Sequence, residues 1–134
     1  MVDAVSVSLS ALRANGIKAG VAANNIASAQ ATGAVNPGPG DRTAYTPQDV
    51  VMVSNASGGV NATVAPRDPA TVLAYDPNAL EANDDGLIAV PNVDLASEIV
   101  DLQFAEAAYK ASLAVLKTVR DMDEDLLSTF DERV

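Results

Sequence analysis

Apolar residues recur along the first thirty positions in steps of three and four: Val5, Leu9, Leu12, Gly16, Ala19, Ala23 and Ile26. This is the a/d spacing of a coiled-coil seam held over about three heptads, and it predicts one helix over residues 3–29, about 40 Å long. The same period returns near the other end, at Ile99, Leu102, Ala105, Tyr109, Leu113, Leu116, Val119, Leu126 and Phe130. It predicts a second helix over 95–130, about 50 Å long. Between the two the pattern shortens. Residues 48–53, 60–65, 71–75 and 87–90 are short strand-like runs, the first two carrying repeated valines, with the turn signals Ser57-Gly58-Gly59 and Arg67-Asp68-Pro69 between them, so small antiparallel strands are expected. Pro37 and Pro39 among glycines make residues 30–44 a loop.

The expected fold is mainly α with a small β region. Long N- and C-terminal helices form a coiled-coil hairpin, with short antiparallel strands or hairpins between them. The chain divides into an N-terminal helix (1–30), a loop and β-rich middle (31–93) and a C-terminal helix (94–134), packed as one structural unit. Neither apolar stripe can bury itself alone, so both point to assembly.

Local chemistry sharpens the helices. Gly16, Ala19 and Ala23 are small and allow a second helix to approach closely. Asn15-Gly16 could instead be a turn splitting the first helix. Asp94 is placed to cap the second, with Glu98 and Asp101 near the positive end of its dipole. Glu106 and Lys110 stand i,i+4 with the acid first, the favourable order. Asp121, Asp123, Glu124 and Asp125 oppose the dipole at the far end and read as a solvated face or as a patch for basic neighbours.

Composition removes most chemistry. The chain has no His and no Cys, which excludes imidazole acid–base catalysis, Ser-His-Asp and Cys-His nucleophilic sites, and thiolate or imidazole zinc centres. Paired-carboxylate catalysis needs a deep pocket, and 134 residues with two Phe and three Tyr offer little to line one. The net charge of −10 is concentrated late: residues 81–134 hold thirteen acids and four bases. With no basic cluster, nucleic acid is not an expected partner. No apolar run reaches the roughly 20 residues that span a bilayer, so the chain is not expected to be membrane-embedded. No secretory signal is expected either, since Asp3 stands where positive charge belongs. Glu81, Asn83, Asp85 and Gly86 echo the start of an EF-hand loop, but Asn92 falls at the position of the bidentate Glu. An acidic turn is the expected structure, with no metal or cofactor.

Several longer motifs carry a resemblance. Tyr75-Asp76-Pro77, followed by Asn83-Asp84-Asp85-Gly86-Leu87-Ile88-Ala89-Val90-Pro91-Asn92-Val93-Asp94, resembles the signature of the FlgC family of bacterial flagellar basal-body rod proteins. Glu98-Ile99-Val100-Asp101-Leu102 and Ala105, Ala108-Tyr109 and Ala111 are similar to the motif that continues it. Asn24-Asn25-Ile26-Ala27-Ser28, with Thr32-Gly33, looks like the N-terminal motif shared by rod and hook proteins. The resemblance covers nearly the whole chain in order, and its C-terminal half is the specific part.

It implies a structural subunit of the proximal rod, with no catalysis, in the periplasm-spanning basal body of the flagellum. Such subunits pack their terminal helices around the axis of a hollow helical tube that transmits torque from motor to hook. They leave the cell through the flagellar type III export apparatus, without a cleaved signal peptide. The implied partners are other rod proteins, copies of the same chain, and the base of the motor ring. The alternative readings are a soluble acidic helical-hairpin binding module and a divergent paralogue outside the rod.

Overall fold

The computed structural model describes residues 2–56 and 58–131. Ser57 of the expected turn, the last three residues and the side chain of Phe130 lie outside the described residues. Two helices and four strands follow one another: α1 (Val2–Ser28), β1 (Gln48–Ser54), β2 (Val60–Pro66), β3 (Thr71–Tyr75), β4 (Leu87–Pro91) and α2 (Leu95–Asp131). Every boundary lies within one residue of the sequence expectation. α1 passes through Asn15-Gly16 unbroken, with the Asn15 side-chain amide donating to the Ala11 carbonyl at 2.9 Å. Asp94 caps α2 as expected: its Oδ1 accepts the N–H groups of Ala96 at 3.0 Å and Ser97 at 3.5 Å.

The helices pack antiparallel. Near one end of the pair Asn25 meets Glu98, and further along Lys18 meets Asp101 at 2.7 Å. α1 has 27 residues and α2 has 37. With one pair of ends aligned, about ten residues of α2, roughly 15 Å, stand beyond α1. The strands form two antiparallel hairpins, with Gln48↔Pro66 to Ser54↔Val60 in one and Thr71↔Pro91 to Tyr75↔Leu87 in the other.

The first hairpin lies along α1. Its base is tied to Asn25 through Gln48, and its far end to Ser10, whose hydroxyl accepts the Val60 N–H at 3.1 Å. Ser10 to Asn25 spans about 22 Å of helix, and a strand of seven residues covers about the same length, so the two match end to end. The strand face carrying Val50, Val60 and Ala62 is half-buried against the helix, and the face carrying Val51 and Val53 is exposed. The second hairpin is joined by the loop after α1: Gly33 and Ala89 exchange backbone hydrogen bonds of 3.0 and 2.9 Å. That loop is closed on itself by Ala34 N–H to the Arg42 carbonyl (2.9 Å) and by Tyr45 N–H to the Ala31 carbonyl (2.9 Å).

The core is thin. Its buried apolar side chains are Leu12, Ala14, Val21 and Ala22 of α1, Ile88 and Ala89 of β4, and Ala105 of α2. On α1 this set, with Ser8 and Asn25, is turned by about one residue, roughly 100°, from the expected heptad row. The reason is geometric. α1 is covered by α2 on one side and by the first hairpin on another, so its buried surface is broader than a seam and centred between the two partners. Ala14, Ala22 and Ala105, not Gly16 and Ala23, provide the small contacts inside the chain.

Candidate assembly interface

The residues of the N-terminal and pre-helix motifs converge on one polar joint. Asn25, fully buried in α1, uses all of its amide capacity. Its Nδ2 donates to the Gln48 carbonyl (2.8 Å) and to Glu98 Oε1 (3.1 Å). Its Oδ1 accepts from the Gln48 N–H (3.0 Å) and the Tyr45 hydroxyl (3.1 Å). Glu98 is also buried, at 4% exposure, and its Oε1 takes a second bond from Arg67 at 2.8 Å. Arg67, just after β2, spreads its guanidinium over three elements: Nε and Nη2 to Asp49 Oδ1 (3.0 and 2.7 Å), Nη2 to Glu98, and Nη1 to the Asn92 carbonyl (2.9 Å). The Asp49 hydrogen bond, opposed by partial burial and helped by Glu98, raises the Arg67 pKa above its ordinary value, so the cation is held firmly.

Both acids expected near the start of α2 also find partners in the fold. Glu98 stands in the first turn, as expected. It turns inward to Arg67 and Asn25, because a buried carboxylate takes a cation and an amide donor where they are offered. Asp101 pairs with Lys18 of α1. Arg67 was missed as a member of the joint, and the sequence did not join the members to one another; the motifs at Asn25 and Glu98 marked two of them singly.

The other motif residues shape the second hairpin and its approach. Gly33 lies so close to the backbone of residues 42–44 that a Cβ would collide with the Ala44 amide nitrogen. Gly86 has φ +73°, and a Cβ there would lie 2.9 Å from the Tyr75 ring and 3.1 Å from Pro77 Cβ. The Tyr75-Asp76-Pro77 segment and Gly86 are therefore two sides of one packed turn, closed by Asp76 N–H to the Gly86 carbonyl at 2.9 Å. Asn92 donates to the Pro69 carbonyl at 3.0 Å. Pro91 is buried, Thr32 and Val93 are half-buried, and Ala27 is exposed. In the acidic turn, Asn83 Oδ1 accepts the N–H groups of Asp85 (3.1 Å) and Leu87 (2.8 Å) and so is committed to the backbone.

One cleft, about 710 Å³, is open, and its charged residues are engaged within the fold. Arg42 pairs with Glu81 at 3.1 Å, and Asp41 accepts the Gly38 N–H at 2.9 Å.

The apolar surface is a different matter. Of the expected seam, Leu12 is buried, and Ala19, Ile26, Leu102 and Leu116 are half-buried. Val5, Leu9, Gly16, Ala23, Ile99, Tyr109 and Leu113 are exposed. More apolar side chains face outward beside them: Val100 and Phe104 on α2, Val51 and Val53 on the first hairpin, Leu73, Tyr75 and Leu80 around the second. Among the described residues, twenty-one large apolar side chains are exposed, and Leu12, Val21 and Ile88 are the buried apolar ones larger than alanine, proline aside. A monomer has no use for such a balance. It marks this apolar surface as a candidate interface.

Comparison with known proteins identifies the kind of assembly. Residues 85–129 match the family described as flagellar basal body rod FlgEFG protein, C-terminal. The flagellar basal-body rod protein FlgC of Salmonella typhimurium is 34% identical over 118 residues, covering 84% of this chain and 85% of that protein. FlgC of Escherichia coli O157:H7 is 35% identical over 119 residues with the same coverage. FlgC of Buchnera aphidicola is 31% identical over 128 residues, covering 91% of this chain and 92% of that protein. The chain belongs to the FlgC family of flagellar basal-body rod proteins. These are structural proteins and not an enzyme family. No helix among the described residues is long and apolar enough to cross a membrane.

Proposed function

We propose that this chain is a structural subunit of the proximal rod, assembling with copies of itself and with other rod proteins into a helical tube that transmits torque from motor to hook. The observation that carries the reading is the excess of exposed over buried large apolar side chains on a chain of this family. A contact between two different patches that does not close generates a helical filament. In that filament segments 1–30 and 94–134 form the inner wall, where α1 and α2 of neighbouring copies pair as coiled coils through the outward seam residues Val5, Leu9, Gly16, Ala23, Ile99, Tyr109 and Leu113. Segment 31–93 makes the lateral contacts. The rod stands on the base of the motor ring, and the subunit reaches it through the flagellar type III export apparatus, with no signal peptide cleaved.

Deleting the gene and restoring it with the wild-type chain tests this reading. Deletion should leave basal bodies lacking a rod beyond the motor ring and cells that do not swim in soft agar, and the wild-type chain should restore both. Deleted cells that swim normally would reject it. Mass spectrometry of isolated basal bodies should find the peptide beginning at Met1 or Val2. A first residue beyond about position 20 would point to signal-peptidase cleavage and reject type III export.

A further inference from the structure

We propose that the Asn25–Arg67–Glu98 cluster is a positioning device, which holds the first hairpin and the helix pair in a single relative placement. Its members come from α1, from the residue just after β2 and from α2, and its remaining contacts from β1, the loop before it and Asn92 ahead of α2. The first hairpin packs on α1 and not along α2. Arg67, at its foot, bonds Glu98 of α2.

The other directional bonds of the hairpin run to α1: Gln48 to Asn25 at its base and the Val60 N–H to the Ser10 hydroxyl at its far end. They seat it on α1, and Arg67 adds the tie to α2. A two-stranded hairpin is marginal without partners that fix it. A buried ion pair is also a poor source of stability, since apolar residues of similar volume often serve as well or better. What such a pair supplies is specificity. A guanidinium fork bound to Asp49, Glu98 and the Asn92 carbonyl admits one geometry. A cleft of about 270 Å³, lined by Lys18, Asp49, Arg67, Glu98 and Asp101, lets solvent reach the Asp49 side, while Glu98 is buried at its floor and Asn25 lies behind it.

The placement has a use. Val51 and Val53 on the hairpin and Phe104 on α2 all face outward. On the rod reading above, neighbouring copies meet both surfaces, so their relative position sets the subunit lattice.

The test uses distances in the intact 134-residue chain. Because the chain has no cysteine, Thr63→Cys with Ala107→Cys places one spin label on the hairpin and one on α2, both at exposed positions. In dilute solution the wild-type background should give one narrow distance distribution. Arg67→Met with Glu98→Leu should broaden it at least twofold, with helix content and melting midpoint retained. An unchanged width, or a lowered midpoint at unchanged width, would overturn the proposal. If that variant does not fold, Arg67→Lys decides: lysine keeps the charge but not the fork, and should broaden the distribution. A narrow distribution in Arg67→Lys would refute the device. Because the distances are read on unassembled chains, failure here leaves the rod reading intact, and failure of the rod reading leaves this result standing.

Discussion

Phe104 and Ala105 are neighbours on α2 with opposite fates. Ala105 is 1% exposed, buried against α1, whereas Phe104 is 67% exposed. A phenylalanine side chain carries about 200 Å² of apolar surface, so covering its exposed part in an interface removes about 130 Å² from water, about 3 kcal/mol. Phe104→Ser removes that gain. The monomer should keep its urea midpoint, because little of the ring is buried within the chain. Each intersubunit contact should weaken about a hundredfold, and since every copy carries the change, rods should not form. Ala105→Leu should do the reverse in the monomer, forcing α1 and α2 apart at a cost of about 1–3 kcal/mol. Urea unfolding of both purified variants, with soft-agar motility and cellular protein level, reads the two stabilities and the loss of rods. Phe104→Ser cells that swim like wild type, with normal protein, would refute the claim that α2's outward face is covered in the rod.

Gly33→Ala should lower the urea midpoint by about 1–3 kcal/mol, because the backbone of residues 42–44 leaves no room for a Cβ. Gly86→Ala combines a positive φ with contact on Tyr75 and should cost about 1–2 kcal/mol in thermal unfolding. Asp94→Ala, which deletes the α2 cap, should cost about 1 kcal/mol by the same measurement. Neutralising the exposed Asp121, Asp123, Glu124 and Asp125 together should change stability by about 1 kcal/mol or less and leave motility intact. Loss of motility at normal protein level would favour the acidic binding-module reading.

The elements were legible because each has its own period. The three-and-four spacing from Val5 to Ile26 and from Ile99 to Val119 can satisfy only a helix, and Val60 to Ala65 alternates as a strand must. The face each helix buries was less legible. A heptad row assumes one partner, but α1 has two, so Ala14 and Val21 are buried and Ala23 is not. The polar joint was hardest to read. Arg67 sits in a segment whose local signal is a turn, and its partners lie 18 and 31 residues away. Periodicity reports local structure, and a charge network assembled from four segments leaves no period. Resemblance marked Asn25 and Glu98 as motif residues, not as partners.

Electron cryomicroscopy of basal bodies purified from the source cell tests the central claim most directly. The account predicts this chain traced in several copies in the proximal rod, α1 and α2 lining the tube, with Phe104, Leu73 and Val53 covered by neighbouring subunits. A rod traced without this chain, or one in which these three side chains face open solvent, would contradict it.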